Sequence, residues 1–134
     1  MKRFTLMVVI MFAMLFGAMV ERAFAEEVNR GVEDAMFLME SSSYTIDFKQ
    51  RTTDEIQYFM MTSVTLFRGT IPYANTAIDG RTYEILVNLV NHFNLAANEL
   101  KIRKKMTSKE YNQYLEMVRI MHEQSSAAYQ RGQL

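Results

Sequence analysis

The 134-residue chain contains no cysteine, no tryptophan, one proline and five glycines. Without cysteine there can be no disulfide, no thiol redox centre and no thioether attachment of a porphyrin. The single proline, Pro72, leaves almost the whole sequence free of the residue that breaks helices. β-Branched runs of period two are also missing, so no segment carries the signature of a half-buried strand. The longest apolar run, "LMVVIMFAMLFGAMV" at residues 6–20, has 15 residues. That is short of the ~20 that a membrane-spanning helix needs.

A large surplus of positive charge is lacking as well. Beyond residue 25 there are 12 basic residues against 14 acidic ones, a net charge of −2. Such a chain has little to offer a phosphate backbone, and no nucleic acid partner is expected. The one dense basic spot, "KIRKK" at residues 101–105, falls where a helix should end and reads as a cap to the helix dipole. No serine or cysteine nucleophile stands in a recognisable motif with a histidine, and no glycine-rich phosphate loop or zinc signature occurs. There is no Glu-x-x-His pair, which argues against a di-iron carboxylate bundle. An enzyme with its own catalytic residues is not expected.

What is present begins with export. Lys2 and Arg3 precede the apolar run, and "AFA" at residues 23–25 follows it. A basic start, a short apolar stretch and a small-residue site make a secretory signal peptide over residues 1–25, cleaved before Glu26. The expectation is a periplasmic protein with no stable membrane association after cleavage, its single domain spanning residues 26–134.

Within that domain apolar residues recur at three and four, the helical period. A first helix is predicted from about 28 to 44, with Val32, Met36 and Met39 along one side. Thr52-x-x-Glu55 is a capping box that opens a second helix bearing Ile56, Phe59, Met60, Ser63 and Phe67. Arg68, Gly69 and Pro72 end it. A third helix runs from about 81 to 105 with Tyr83, Leu86, Val90, Phe93, Ala97 and Leu100 as its stripe. His92 lies away from that stripe and is expected to be exposed. A second capping box, Thr107-x-x-Glu110, opens a fourth helix that ends near Gly132. Tyr44, Tyr83, Tyr114 and Tyr129 read as core packing with a hydroxyl at a bundle edge. The fold class expected is all-α, an antiparallel up-down-up-down four-helix bundle.

Three short stretches carry a resemblance. "VEDAMFLME", "YEILVNLVNHFNLAANE" and "AAYQRG" resemble the first, third and fourth helices of the cytochrome b562 family. The resemblance covers nearly all of the mature chain. It implies a periplasmic protein holding one non-covalent haem b, its iron ligated by a methionine near the start of helix one and a histidine near the end of helix four. With both axial positions filled, the chemistry is electron transfer with a donor or acceptor in the periplasm.

Met36 matches the methionine position. At the histidine position the local match "AAYQ" places Gln130. Helical phase favours His122 instead: with Val118 at zero and about 100° per residue, His122 falls at about 40° and Gln130 at about 120°. Depth points the same way, because Met36 is eight residues from Val28 and His122 eight from Gln130. The expected ligands of haem iron are therefore Met36 and His122, with Met39 able to replace Met36. The alternative is a haem-free bundle of the same export route that binds a protein partner or serves a structural role.

Overall fold

The computed structural model describes residues 22–134, with side chains from Arg30 onward. It is all-helical among the described residues. The helices are α1 (Arg22–Glu40), α2 (Thr53–Thr70), α3 (Gly80–Ile102) and α4 (Ser108–Gly132), with a short 3-10 turn at Phe48–Gln50 in the first connection. All of the expected signal peptide but its last four residues lies outside the described residues.

Local chemistry fixes the helix starts. Thr52 accepts from the Glu55 N–H while the Glu55 carboxylate accepts from the Thr52 N–H, and Thr107 and Glu110 repeat the arrangement. Each box satisfies two amides that a helix start otherwise leaves without partners. Asp79 does the same work at α3, its carboxylate accepting from the Thr82 N–H at 2.8 Å. These bonds hold the Asp79 carboxyl below the usual aspartate range, because they favour its charged form.

The core gathers on α2 and α3. Ile56, Phe59, Met60, Ser63 and Phe67 are buried on α2, and Leu86, Val90, Phe93, Ala97 and Leu100 on α3, as the period predicts. Both helices also bury a second side, with Thr62 and Leu66 on α2 and Leu89, His92 and Ala96 on α3. The outer helices bury less. α1 turns Val32, Ala35 and Leu38 inward, and α4 turns Met121, Ser125 and Ala128 inward. The packing explains the difference: among the described residues α1 lies on α2 and α3, while α4 lies on α3 and has little contact with α1 or α2. In a square four-helix bundle the first and last helices are neighbours; here α3 is the helix that packs on both.

Gly31 permits the α1–α2 contact. A Cβ there would come within 2.6 Å of the Glu55 carbonyl oxygen and 2.9 Å of both the Phe59 nitrogen and the Tyr58 Cβ. Beside this crossing, Arg51 clasps the buried Asp34 with Nε at 2.7 Å and a second bond at 3.2 Å. That charge-assisted bond raises the Arg51 guanidinium above its ordinary value. At the far end of the bundle the 71–79 connection is tied to α4. The Ile78 N–H donates to the Ala128 carbonyl at 3.1 Å, and Arg131 Nε donates to the Thr76 carbonyl at 2.8 Å.

Candidate functional site

The expected haem ligands are not brought together. Met36 is exposed, at 41% of its surface, and does not belong to the inward stripe of α1. That stripe is rotated by one residue from the expected one, running through Ala35 where Met36 was expected. The height of Met36 follows from its neighbours. Asp34, two residues earlier, is held by Arg51 just before α2 begins, and Gly31 abuts Glu55 and Phe59 in the first turns of α2. Met36 therefore sits at the N-terminal end of α2.

His122 sits at the other end. Its neighbours Met121 and Gln124 share a hollow with Val64, Phe67, Arg68 and Ile71, the last turns of α2 and the residue after it. Between Thr53 and Val64 alone α2 rises roughly 16 Å at 1.5 Å per residue. An iron with bonds of about 2 Å spans no such gap. The phase of α4 is also displaced. Its buried residues Met121, Ser125 and Ala128 fall at about −60°, −20° and −80° on the helical wheel that puts His122 at about 40°. His122 accordingly lies at the edge of the packed face, half-buried, and Gln130 is exposed. Met39 is half-buried and packs against the core, three residues beyond Met36 and further still from His122. The residues present do not fit a haem held by Met36 and His122.

The other histidine is occupied structurally. Contrary to expectation His92 is buried, 5% exposed. Its Nε2 accepts from the Ile46 N–H at 3.2 Å, and its Nδ1 lies 2.8 Å from the Asn88 carbonyl. Since a carbonyl can only accept, Nδ1 carries the proton and Nε2 the lone pair. The ring pins the first connection to α3, with the Phe48 ring at its edge. Sequence phase misses this because the covering element is a non-helical segment some 46 residues away. A signal was present nonetheless: Ile46 and Phe48 alternate in the connection and need somewhere to be buried.

A concavity among the described residues lies elsewhere. A groove of about 650 Å³ runs between α2 and α4, floored by Phe93 and Leu100 of α3. Its walls are methionine-rich: Met60 and Met61 from α2, Met106 from the α3–α4 turn, and Met117 from α4, joined by Val64 and Tyr114. Met60 is buried while Met61 is 51% exposed, so the consecutive pair supplies both a floor and a lip. Thioether side chains are unbranched and polarizable, and they re-pack readily around an apolar occupant. The lip also carries Arg68 and Lys105, with Glu110 beside them. Among the described residues neither cation makes an ion pair, unlike Arg119, which is held between Glu116 and Glu123 on the outer side of α4.

The four tyrosines expected in packing roles take them. Tyr83 and Tyr129 stack with centroids 4.6 Å apart, Tyr114 meets Phe93 edge-on at 5.8 Å, and Tyr44 packs on Phe37 at 5.4 Å. The "KIRKK" run is partly a cap as expected. Arg103 bonds Glu99 at 2.9 Å and the Phe48 carbonyl at 2.9 Å, while Lys101 lies over the Tyr111 ring. Lys104 adopts the left-handed conformation, φ 60°, that ends α3. No group of three or more acidic, histidine or cysteine side chains forms a metal-binding cluster among the described residues. None of the described helices is long and apolar enough to cross a membrane. Comparison with protein families, with curated proteins and with solved structures finds no match.

Proposed function

We propose that this chain is a haem-free, exported four-helix bundle that works by binding a protein partner in the α2–α4 groove. The observation that carries the reading is the axial separation of Met36 and His122, at opposite ends of α2. It speaks against a b-type electron carrier, the first reading of the sequence. The methionine-lined groove favours the second reading, because it offers apolar surface and adaptable side chains where a helix can lie. On this reading the bundle is antiparallel. That is supported by the α3–α4 pairings, in which Asn98 meets Tyr111 and Tyr83 meets Tyr129, so partner numbers fall as those of α3 rise. Export by a signal peptide over residues 1–25 completes it, and the periplasm is where the partner is to be sought.

The test is spectroscopic. Titrating the purified protein with haemin and reducing it with dithionite should give only a broad, weak band, unchanged by Met36→Ala or His122→Ala. A sharp, stoichiometric Soret band with resolved α and β bands, lost in both variants, would overturn the proposal and restore the electron-transfer reading.

A further inference from the structure

We propose that the occupant of the α2–α4 groove is the exposed face of α1 from a second copy of this chain, so that the protein associates head to tail. The proposal deepens the protein-binding reading above and rests on it.

One helical stripe of α1 stays largely open to solvent, although Phe37 also touches the Tyr44 ring of its own chain. Glu33, Met36, Phe37 and Glu40 stand at i, i+3, i+4 and i+7 and are all exposed, Phe37 at 48% and Met36 at 41%. Residues so spaced share one side of a helix. The stripe therefore presents two large apolar side chains side by side, with a carboxylate one turn before and one turn after. Met36 and Phe37 hold the two middle positions of the i, i+3, i+4, i+7 spacing by which a helix seats in an apolar groove, and carboxylates hold the outer two. Among the described residues, neither Glu33 nor Glu40 makes an ion pair.

The groove answers each part of that pattern. Its α2 wall reaches from Gln57 to Arg68, roughly 16 Å of helix. The stripe occupies about 10 Å from Glu33 to Glu40, so the groove is long enough to take it whole. Met60, Met61 and Met117 offer soft apolar surface to Met36 and Phe37. Arg68 and Lys105 stand on the lip with Glu110, a two-to-one excess of cations in which neither makes an ion pair among the described residues, and the stripe brings two carboxylates. Charge complementarity of this kind fixes register and speeds encounter more than it adds raw affinity.

The stripe and the groove lie on different sides of the chain. Within one chain α1 packs on α2 and α3 and has little contact with α4. The stripe points outward on the α1 side, while the groove opens between α2 and α4. The stripe of a chain does not reach its own groove, and when only one stripe and one groove of a pair are engaged, one of each is left free at the ends. Such a heterologous contact propagates into a ring or an open chain rather than stopping at a two-fold dimer.

Sedimentation velocity from micromolar to millimolar protein tests this, with two charge-swapped variants: Glu33→Lys/Glu40→Lys on the stripe and Arg68→Glu/Lys105→Glu on the groove. All four positions are exposed, and unchanged circular dichroism checks that the fold is kept. Wild type should show mass rising with concentration past the dimer. Each variant alone should associate at least about tenfold more weakly, and mixing the two should restore association, because each swapped surface then meets its complement. A wild type monomeric at millimolar concentration would overturn the proposal, as would association that neither swap weakens or mixing that restores nothing. Failure here leaves the haemin titration unaffected, so it is distinguishable from failure of the haem-free reading.

Discussion

Replacing Gly31 by alanine sets two physical effects against each other. On an isolated helix the change is favourable, since glycine in a helix interior costs about 1 kcal/mol relative to alanine. In this fold the new methyl group would lie 2.6 Å from the Glu55 carbonyl oxygen and 2.9 Å from the Phe59 nitrogen. Both atoms belong to the backbone of α2, so neither can step aside by changing rotamer. The helices must move apart, and the seal of Val32, Ala35 and Leu38 on the core opens with them. Overpacking of this kind costs about 1–3 kcal/mol, and contact with rigid backbone puts it at the upper end. After the helix gain of about 1 kcal/mol, the net loss should be about 2 kcal/mol. For a domain of this size that lowers Tm by roughly 8–10 °C. The assay is thermal and urea unfolding followed by circular dichroism, with Gly80→Ala as the control. A Cβ at Gly80 meets only the Tyr129 ring, at 3.8 Å, so that variant should match wild type or exceed it. A Gly31→Ala protein as stable as wild type would refute the close-crossing argument.

Three further outcomes are expected. His92→Ala leaves the buried Ile46 N–H without an acceptor, a loss of about 1–3 kcal/mol before any cavity cost. His92→Gln should recover part of it in urea unfolding, and equal stability of the two variants would count against the bond. Arg51→Met leaves the Asp34 carboxylate buried and unpaired and should cost about 3 kcal/mol. The double variant Asp34→Leu/Arg51→Met should be more stable than Arg51→Met alone, and an additive double-mutant cycle would speak against the pair. Finally, the Asp79 carboxyl is held below its usual range, so its cap supports α3 above the unfolded aspartate value near 3.8. That support is lost as pH falls through the lower folded value. Native-state hydrogen exchange at the α3 start should therefore quicken in acid for wild type and show no such acid step in Asp79→Ala.

Where the sequence was legible, one principle was at work at a time. The two Thr-x-x-Glu boxes are purely local, and both form as their spacing predicts. The stripes of α2 and α3 were readable because large apolar residues there alternate with polar ones. α1 is different, since "AMFLM" at residues 35–39 is apolar all the way round and carries no phase. Its orientation is decided by Gly31 and Asp34, which must face α2, and Met36 is thereby left outside. In α4 the buried positions include Ser125 and Ala128, small residues that mark where a helix approaches closely rather than where a stripe is greasy. Leu115, at about 60° on the wheel that puts His122 at about 40°, stays exposed at 38%, so the side of α4 that bears His122 is less deeply packed than the side of Met121. The groove was out of reach for another reason: it arises from how far apart α2 and α4 stand, and no single helix encodes that distance.

The tie between the 71–79 connection and α4 bears on the order in which the molecule takes shape. Ile78 finds its acceptor in Ala128, and Thr76 its donor in Arg131, about fifty residues further on. On a ribosome α1, α2 and the Asp79 cap emerge early, yet this loop cannot close until nearly the whole of α4 has been made. Most of the hairpin contacts can form as the chain appears. The bend between the two halves of the protein then behaves as a latch, set last by residues that are translated last.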